Sequence, residues 1–142
     1  MADIIYREEF AVARGDFAHA GEASRSMKRT LKKMGVNPSI VREVSIASYE
    51  LELNLVIHSL GGELILEFEK DILRLISRDH GPGIPEISLA MQEGYSTASD
   101  DVRNLGFGAG MGLPNVKTHS HDFYIESKVP DGTLIKVEYN LH

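Results

Sequence analysis

Hydrophobic and polar positions change period along the chain, and each change marks an element. IIYREEFAV (4–12), rich in branched and aromatic residues, reads as an edge strand. From Asp16 to Lys33 the spacing turns helical and stops at Met34-Gly35, where glycine suits a helix C-terminus. Asn37-Pro38 opens a second helix, with Asn as N-cap and Pro in the first turn. That helix runs to about Ser59 before Gly61-Gly62 ends it. ELILEFE (63–69) and ILRLISR (72–78) alternate around Lys70-Asp71 and predict a hairpin. Residues 79–111 read mostly as loop, with one helical turn at ISLAMQEG. Pro114 to about Ser120 is helical, and FYIESKV and TLIKVEYNL pair around Pro130-Asp131-Gly132. This order predicts one sheet with helices packed on one face, an α+β sandwich.

The second helix places chemistry on its apolar side. Ile40, Val44, Ala47, Leu51 and Leu55 fall on one stripe at about 100° per residue. Asn54 projects within that stripe, and Glu50 lies at its margin one turn earlier. A buried amide without a partner costs about 1–3 kcal/mol, so something must satisfy Asn54. A neighbouring backbone group does so with Glu50 merely exposed, or a ligand does; the helix alone leaves both open. His58 also falls on the apolar side and reads as a core residue, since no second or third metal ligand accompanies it. His119 and His121 are assigned no metal either. Arg25, Lys28, Arg29 and Lys32 make one basic face, read first as solvated, with docking of an acidic partner as the alternative.

Composition narrows the class. A chain of 142 residues is about one domain, spanning 1–142, and 42% apolar with 25% charged residues fits a globular protein. There is no cysteine, which rules out disulfides and cysteine zinc sites and fits a reducing cytoplasm. No apolar run approaches the roughly 20 residues that span a bilayer, and MADIIYREEF lacks a signal-peptide stretch. No membrane role is expected. A net charge of −6 argues against nucleic acid as a partner. ATP is still compatible, because a metal ion and backbone N–H groups neutralise phosphates.

Two glycine clusters frame a polar segment. In RDHGPGIP (78–85), Asp79 ends a strand and the chain then breaks into Gly-Pro-Gly. An ionised Asp79 accepts a hydrogen bond from an exocyclic amine, and Gly81 and Gly83 let a flat base lie close to the backbone. The same residues also read as a plain turn. In GFGAGMGLPN (106–115), Gly106, Gly108, Gly110 and Gly112 alternate just before a helix. Such a loop aims several N–H groups at one anion, with phosphate the natural guest; a flexible hinge is the alternative. It is no Walker loop, because no Gly-Lys-Ser/Thr follows, and no strand immediately precedes it as a Rossmann turn requires.

Taken in order, Glu50-x-x-x-Asn54, Asp79-x-Gly81-x-Gly83, Gly108-x-Gly110-x-Gly112 and Gly132-Thr133 resemble the N, G1, G2 and G3 boxes of the GHKL superfamily. This group holds gyrase, heat-shock chaperone ATPases, mismatch-repair ATPases and histidine kinases. The similarity covers roughly 35–140 and implies the Bergerat fold, a two-layer α/β sandwich with a mixed, mostly antiparallel sheet. With no transducer domain or phosphoacceptor helix pair in the sequence, the likeness narrows to the small stand-alone branch. That branch holds anti-sigma factors and the switch serine-protein kinases, whose lid EGYSTA and GFGAGMGLPNVK resemble.

The resemblance implies Glu50 as general base, Asn54 as the Mg²⁺ ligand and Asp79 as the reader of the adenine amine. ATP contacts would come from Asn54, Asp79, Gly81, Gly83 and Ile84, and from Gly106, Gly108, Ala109, Gly110, Met111, Gly112 and Leu113. Thr133 would lie near the adenine, and about 86–109 would be the ATP lid. The implied activity is ATP-dependent serine/threonine phosphorylation of a STAS-domain protein, an anti-sigma-factor antagonist or stressosome scaffold, in a bacterial partner-switching system. The alternative is an anti-sigma factor acting mainly as a nucleotide-controlled module that sequesters a sigma factor. Homodimers are common in such relatives, but no heptad marks one here. His80, after Asp79, and Glu52, inside the N box, depart from the pattern; Glu52 is expected to point away from the nucleotide.

Overall fold

The structure is a computed structural model, and it describes residues 5–58, 61–80, 91, 112–128 and 132–141. Strand β1 (Tyr6–Val12) leads through a 3-10 turn (Phe17–His19) into helix α1 (Glu22–Lys33) and helix α2 (Pro38–His58). Strands β2 (Gly62–Phe68) and β3 (Ile72–Asp79) follow, then helix α3 (Gly112–Thr118) and strands β4 (Asp122–Lys128) and β5 (Gly132–Asn140). The five described strands form one sheet in the order β1-β2-β3-β5-β4, and every pairing is antiparallel, so no parallel pair of the expected mixed sheet is found among them. β1 is an edge strand, as its sequence indicates.

The apolar stripe of α2 forms the centre of the core. Ile40, Val44, Ala47, Leu51 and Leu55 are all buried there, with Met27 and Leu31 of α1 and Leu64, Leu66, Leu73, Leu75, Val137 and Tyr139 of the sheet. Burying each of the valine, leucine, isoleucine and methionine side chains contributes about 1.5–3 kcal/mol. Strand alternation sends the other residues to the opposite sheet face, where charges cross the strands. Arg74 holds Glu138 at 2.7 Å, Glu69 at 3.0 Å and Glu67 at 3.6 Å, and Arg7 reaches Glu67 from the next strand at 3.9 Å.

Local chemistry explains most helix ends. The Ser39 N–H donates to Asn37 Oδ1 at 2.9 Å, so Asn37 caps α2 as expected. The helix expected from Asp16 is instead broken. After the 3-10 turn, Gly21 takes φ 98°, a left-handed conformation that suits glycine, and α1 begins at Glu22. No side chain of the Gly21 region caps this start; Glu52 of α2 does, accepting from the N–H groups of Gly21, Ala23 and Ser24 at 3.0, 3.2 and 3.0 Å. α3 starts at Gly112, two residues before the expected Pro114, which therefore sits in its first turn.

Arg25, Lys28, Arg29 and Lys32 are exposed on α1. His119 lends its carbonyl oxygen to the Tyr139 hydroxyl at 2.6 Å, and His121 Nδ1 accepts the Asn140 N–H at 2.9 Å. No metal-holding group of His, Cys, Asp or Glu occurs among the described residues, and no described helix is long and apolar enough to cross a membrane. The side chain of His58 and nearly all of the expected lid lie outside the described residues. Met91, from the expected helical turn, packs against the core.

Candidate functional site

Glu50 and Asn54 sit one turn apart on α2, and α3 packs over them. Gly112 makes that approach feasible. A Cβ there would stand 3.3 Å from Asn54 Oδ1, 3.7 Å from Asn54 Nδ2 and 3.5 Å from Glu50 Oε2. Asn115, on the same short helix, donates from Nδ2 to Glu50 Oε1 at 3.5 Å. Both Glu50 and Asn54 are half-buried. Burial pushes the Glu50 carboxyl above the ordinary carboxylate range, and the Asn115 amide works against that rise. The Asn54 side chain has no hydrogen-bond partner among the described residues. The backbone partner considered from sequence is therefore not found among the described residues.

A second cluster forms at the end of β3. The Thr133 N–H donates to Asp79 Oδ1 at 3.0 Å, and the Thr133 and Ser127 hydroxyls lie 2.9 Å apart. Gly62, opposite Asp79 in the ladder, fixes this spacing, because a Cβ at 62 would collide with the Arg78 carbonyl and the Asp79 Cα. His80 turns to Glu63, with Nε2 2.8 Å from Oε2, and both remain exposed enough to meet water.

Of the residues expected at the site, Glu50, Asn54 and Gly112 come together, and Asp79 joins Thr133. Leu113 is 7% exposed, and its side chain belongs to the core. Gly81, Gly83, Ile84, Gly106, Gly108, Ala109, Gly110 and Met111 lie outside the described residues. Asn115 and Ser127 were not anticipated. Asn115 follows Gly112 by three, a spacing that puts both on one helix face, and Ser127 is the direct cross-strand partner of Thr133. A cleft of about 480 Å³ between β1 and α1 is lined by Glu52 and Val56 rather than by Glu50 and Asn54, so it is not this site.

The sequence profile of the histidine kinase-, DNA gyrase B- and HSP90-like ATPases matches residues 40–142. The chain belongs to this family. Within the GHKL ATPases it is 31% identical over 119 residues to the serine/threonine-protein kinase RsbT of Bacillus subtilis (strain 168), a match covering 80% of this chain and 84% of RsbT. It is thus a homologue of a serine/threonine-protein kinase. The crystal structure of the RsbU and RsbW domains of Rv1364c from Mycobacterium tuberculosis shares the fold, with a TM-score of 0.60 at 16% identity. That likeness covers 94% of this chain and 32% of the other, so this chain spans about a third of the length of that two-domain chain. The GHKL resemblance and the α+β sandwich read from the sequence both hold.

Proposed function

We propose that this chain is an ATP-dependent serine/threonine kinase that phosphorylates a separate STAS-domain protein in a partner-switching system. The observation that carries this reading is the half-buried Glu50–Asn54 pair under Gly112. It sets a carboxylate of raised proton affinity beside an amide with no described protein partner.

Glu50 takes the proton of the incoming hydroxyl. The hydroxyl oxygen then bonds to the γ-phosphorus as the bond to the β–γ bridging oxygen breaks, and ADP leaves. A positioned base of this kind contributes typically about 10²–10⁴-fold. Asn54 fits Mg²⁺, a hard cation that needs few protein ligands because phosphate oxygens and water complete its shell. When bound, the ion neutralises charge that develops on the phosphates. Asp79, braced by the Thr133 N–H, reads the adenine amine with its acceptor capacity. The absence of cysteine fits work in a reducing cytoplasm.

Radiolabelled ATP–Mg²⁺, offered with a panel of STAS-domain proteins from the same genome, tests the reading. Label should pass to a serine or threonine of one of them. Absence of transfer to every acceptor, together with stable capture of a sigma factor, would replace the kinase by a sequestering module.

A further inference from the structure

The two oxygens of Glu50 meet different surroundings. Oε1 receives the Asn115 amide, whereas Oε2 lies beside the space that a side chain at 112 would fill, next to the Asn54 amide. A terminal glutamate torsion is broad and roughly two-fold, so a carboxylate with no anchor presents either oxygen over a range of angles. Misplacing a reacting group by about 1 Å can cost on the order of 10²-fold in rate. An anchor on one oxygen therefore has consequences for the other.

We propose that Asn115 is a positioning residue for phosphotransfer: its amide holds Glu50 Oε1 and thereby aims Oε2 at the substrate hydroxyl. The proposal rests on the kinase reading of the Glu50 site. Asn115 is placed for this by its own helix. It follows Gly112 by three residues on the seven-residue α3, so the glycine that lets α3 close on α2 also brings the amide to the carboxylate. The contact of 3.5 Å is long, as resting catalytic hydrogen bonds often are before the reacting complex tightens them. An amide donor also favours the ionised carboxylate, the form that accepts a proton.

Three variants separate aiming from packing. Asn115→Leu keeps the size of the side chain and removes the donor. Asn115→Asp keeps its shape and adds a like charge. Asn115→Gln keeps the donor on a longer arm. With a STAS-domain acceptor, the leucine variant should lower kcat about 10- to 100-fold, with KM for ATP and ATP–Mg²⁺ affinity unchanged. The aspartate variant should fall at least as far, and glutamine should recover much of the loss. Wild-type kcat in the leucine or aspartate variant overturns the proposal. So does a loss of nucleotide affinity that parallels kcat in all three, because packing then explains the residue.

A second readout needs no turnover. In ¹⁵N spectra of the nucleotide-free protein, the Asn115 side-chain amide signals should move in Glu50→Ala. Unmoved signals would refute the contact. Failure of the wild-type chain to transfer phosphate would instead count against the kinase reading, while the amide signals would still decide whether Asn115 holds Glu50.

Discussion

Glu50 and Glu52 stand two residues apart on α2 and serve opposite ends. Glu52 is 3% exposed, and its two oxygens accept three backbone N–H groups from the start of α1. Glu50 is half-buried and, among the described residues, receives one long amide contact. A buried carboxylate whose two oxygens both accept backbone N–H groups has little capacity left for chemistry and ties two helices together. One that is partly stripped of water and poorly supplied with donors keeps an appetite for protons. The count of donors around each acid, rather than burial alone, separates the capping glutamate from the one proposed as general base.

The sharpest way to break this contrast is Glu50→Gln. It should lower phosphotransfer about 10²–10⁴-fold while ATP–Mg²⁺ affinity by calorimetry stays near wild type. Undiminished label transfer would remove Glu50 from the chemistry. Glu52→Ala should do the reverse. Losing a charged cap that serves three N–H groups should cost about 2–3 kcal/mol, read from the urea midpoint. Below its melting range the variant should transfer phosphate at nearly the wild-type rate. A catalytic defect in the fully folded variant would mean that the two acids are not separable.

Gly112→Ala comes next in size. Its Cβ would press on Asn54 Oδ1 at 3.3 Å, tighter than ordinary contact, so α3 or the Asn54 amide must shift. Overpacking of this kind typically costs about 1–3 kcal/mol. Here it should appear chiefly as nucleotide affinity weakened about tenfold or more, since about 1.4 kcal/mol is one decade. A variant that binds ATP–Mg²⁺ as tightly as wild type would show that α3 has slack over the site.

Much of this contrast was legible in the sequence, because its sources are local. The α2 stripe, the Asn37 cap and the hairpin turn at Lys70-Asp71 each follow from neighbouring residues, and the i, i+4 spacing of Glu50 and Asn54 places both on one helix face. Glu52 was expected to turn away from the nucleotide; its carboxylate faces the start of α1. Its task was hidden, because its partners lie 28 to 31 residues earlier in the chain. For the same reason the helix was expected to start at Asp16: helical periodicity carries no trace of a break at Gly21 capped from another helix. The placement of β5 between β3 and β4 was equally hidden, since a hairpin does not say which of its strands meets the sheet. Asn115 escaped notice because it matters only once Gly112 has brought α3 against α2.

The smallest effect concerns stability and follows from the sign of the Glu50 shift. Burial raises the native proton affinity of Glu50 above that of the unfolded chain, with Asn115 offsetting part of the rise. Between the unfolded and the native pKa, the native state therefore binds more proton than the unfolded state does. Stability then falls as pH rises through that window. Above it, the chain bears the full cost of burying an anion; below both values, that cost is absent. Glu50→Gln keeps the shape of the side chain and removes the charge, so at neutral pH it should gain roughly 0.5 kcal/mol, the scale of a mild surface change. The gain should vanish on acidification as wild-type Glu50 takes up its proton. Paired urea titrations across pH read this directly. A variant less stable than wild type at neutral pH would show that the Glu50 anion is better supplied with donors than Asn115 alone allows, which would bring it closer to Glu52.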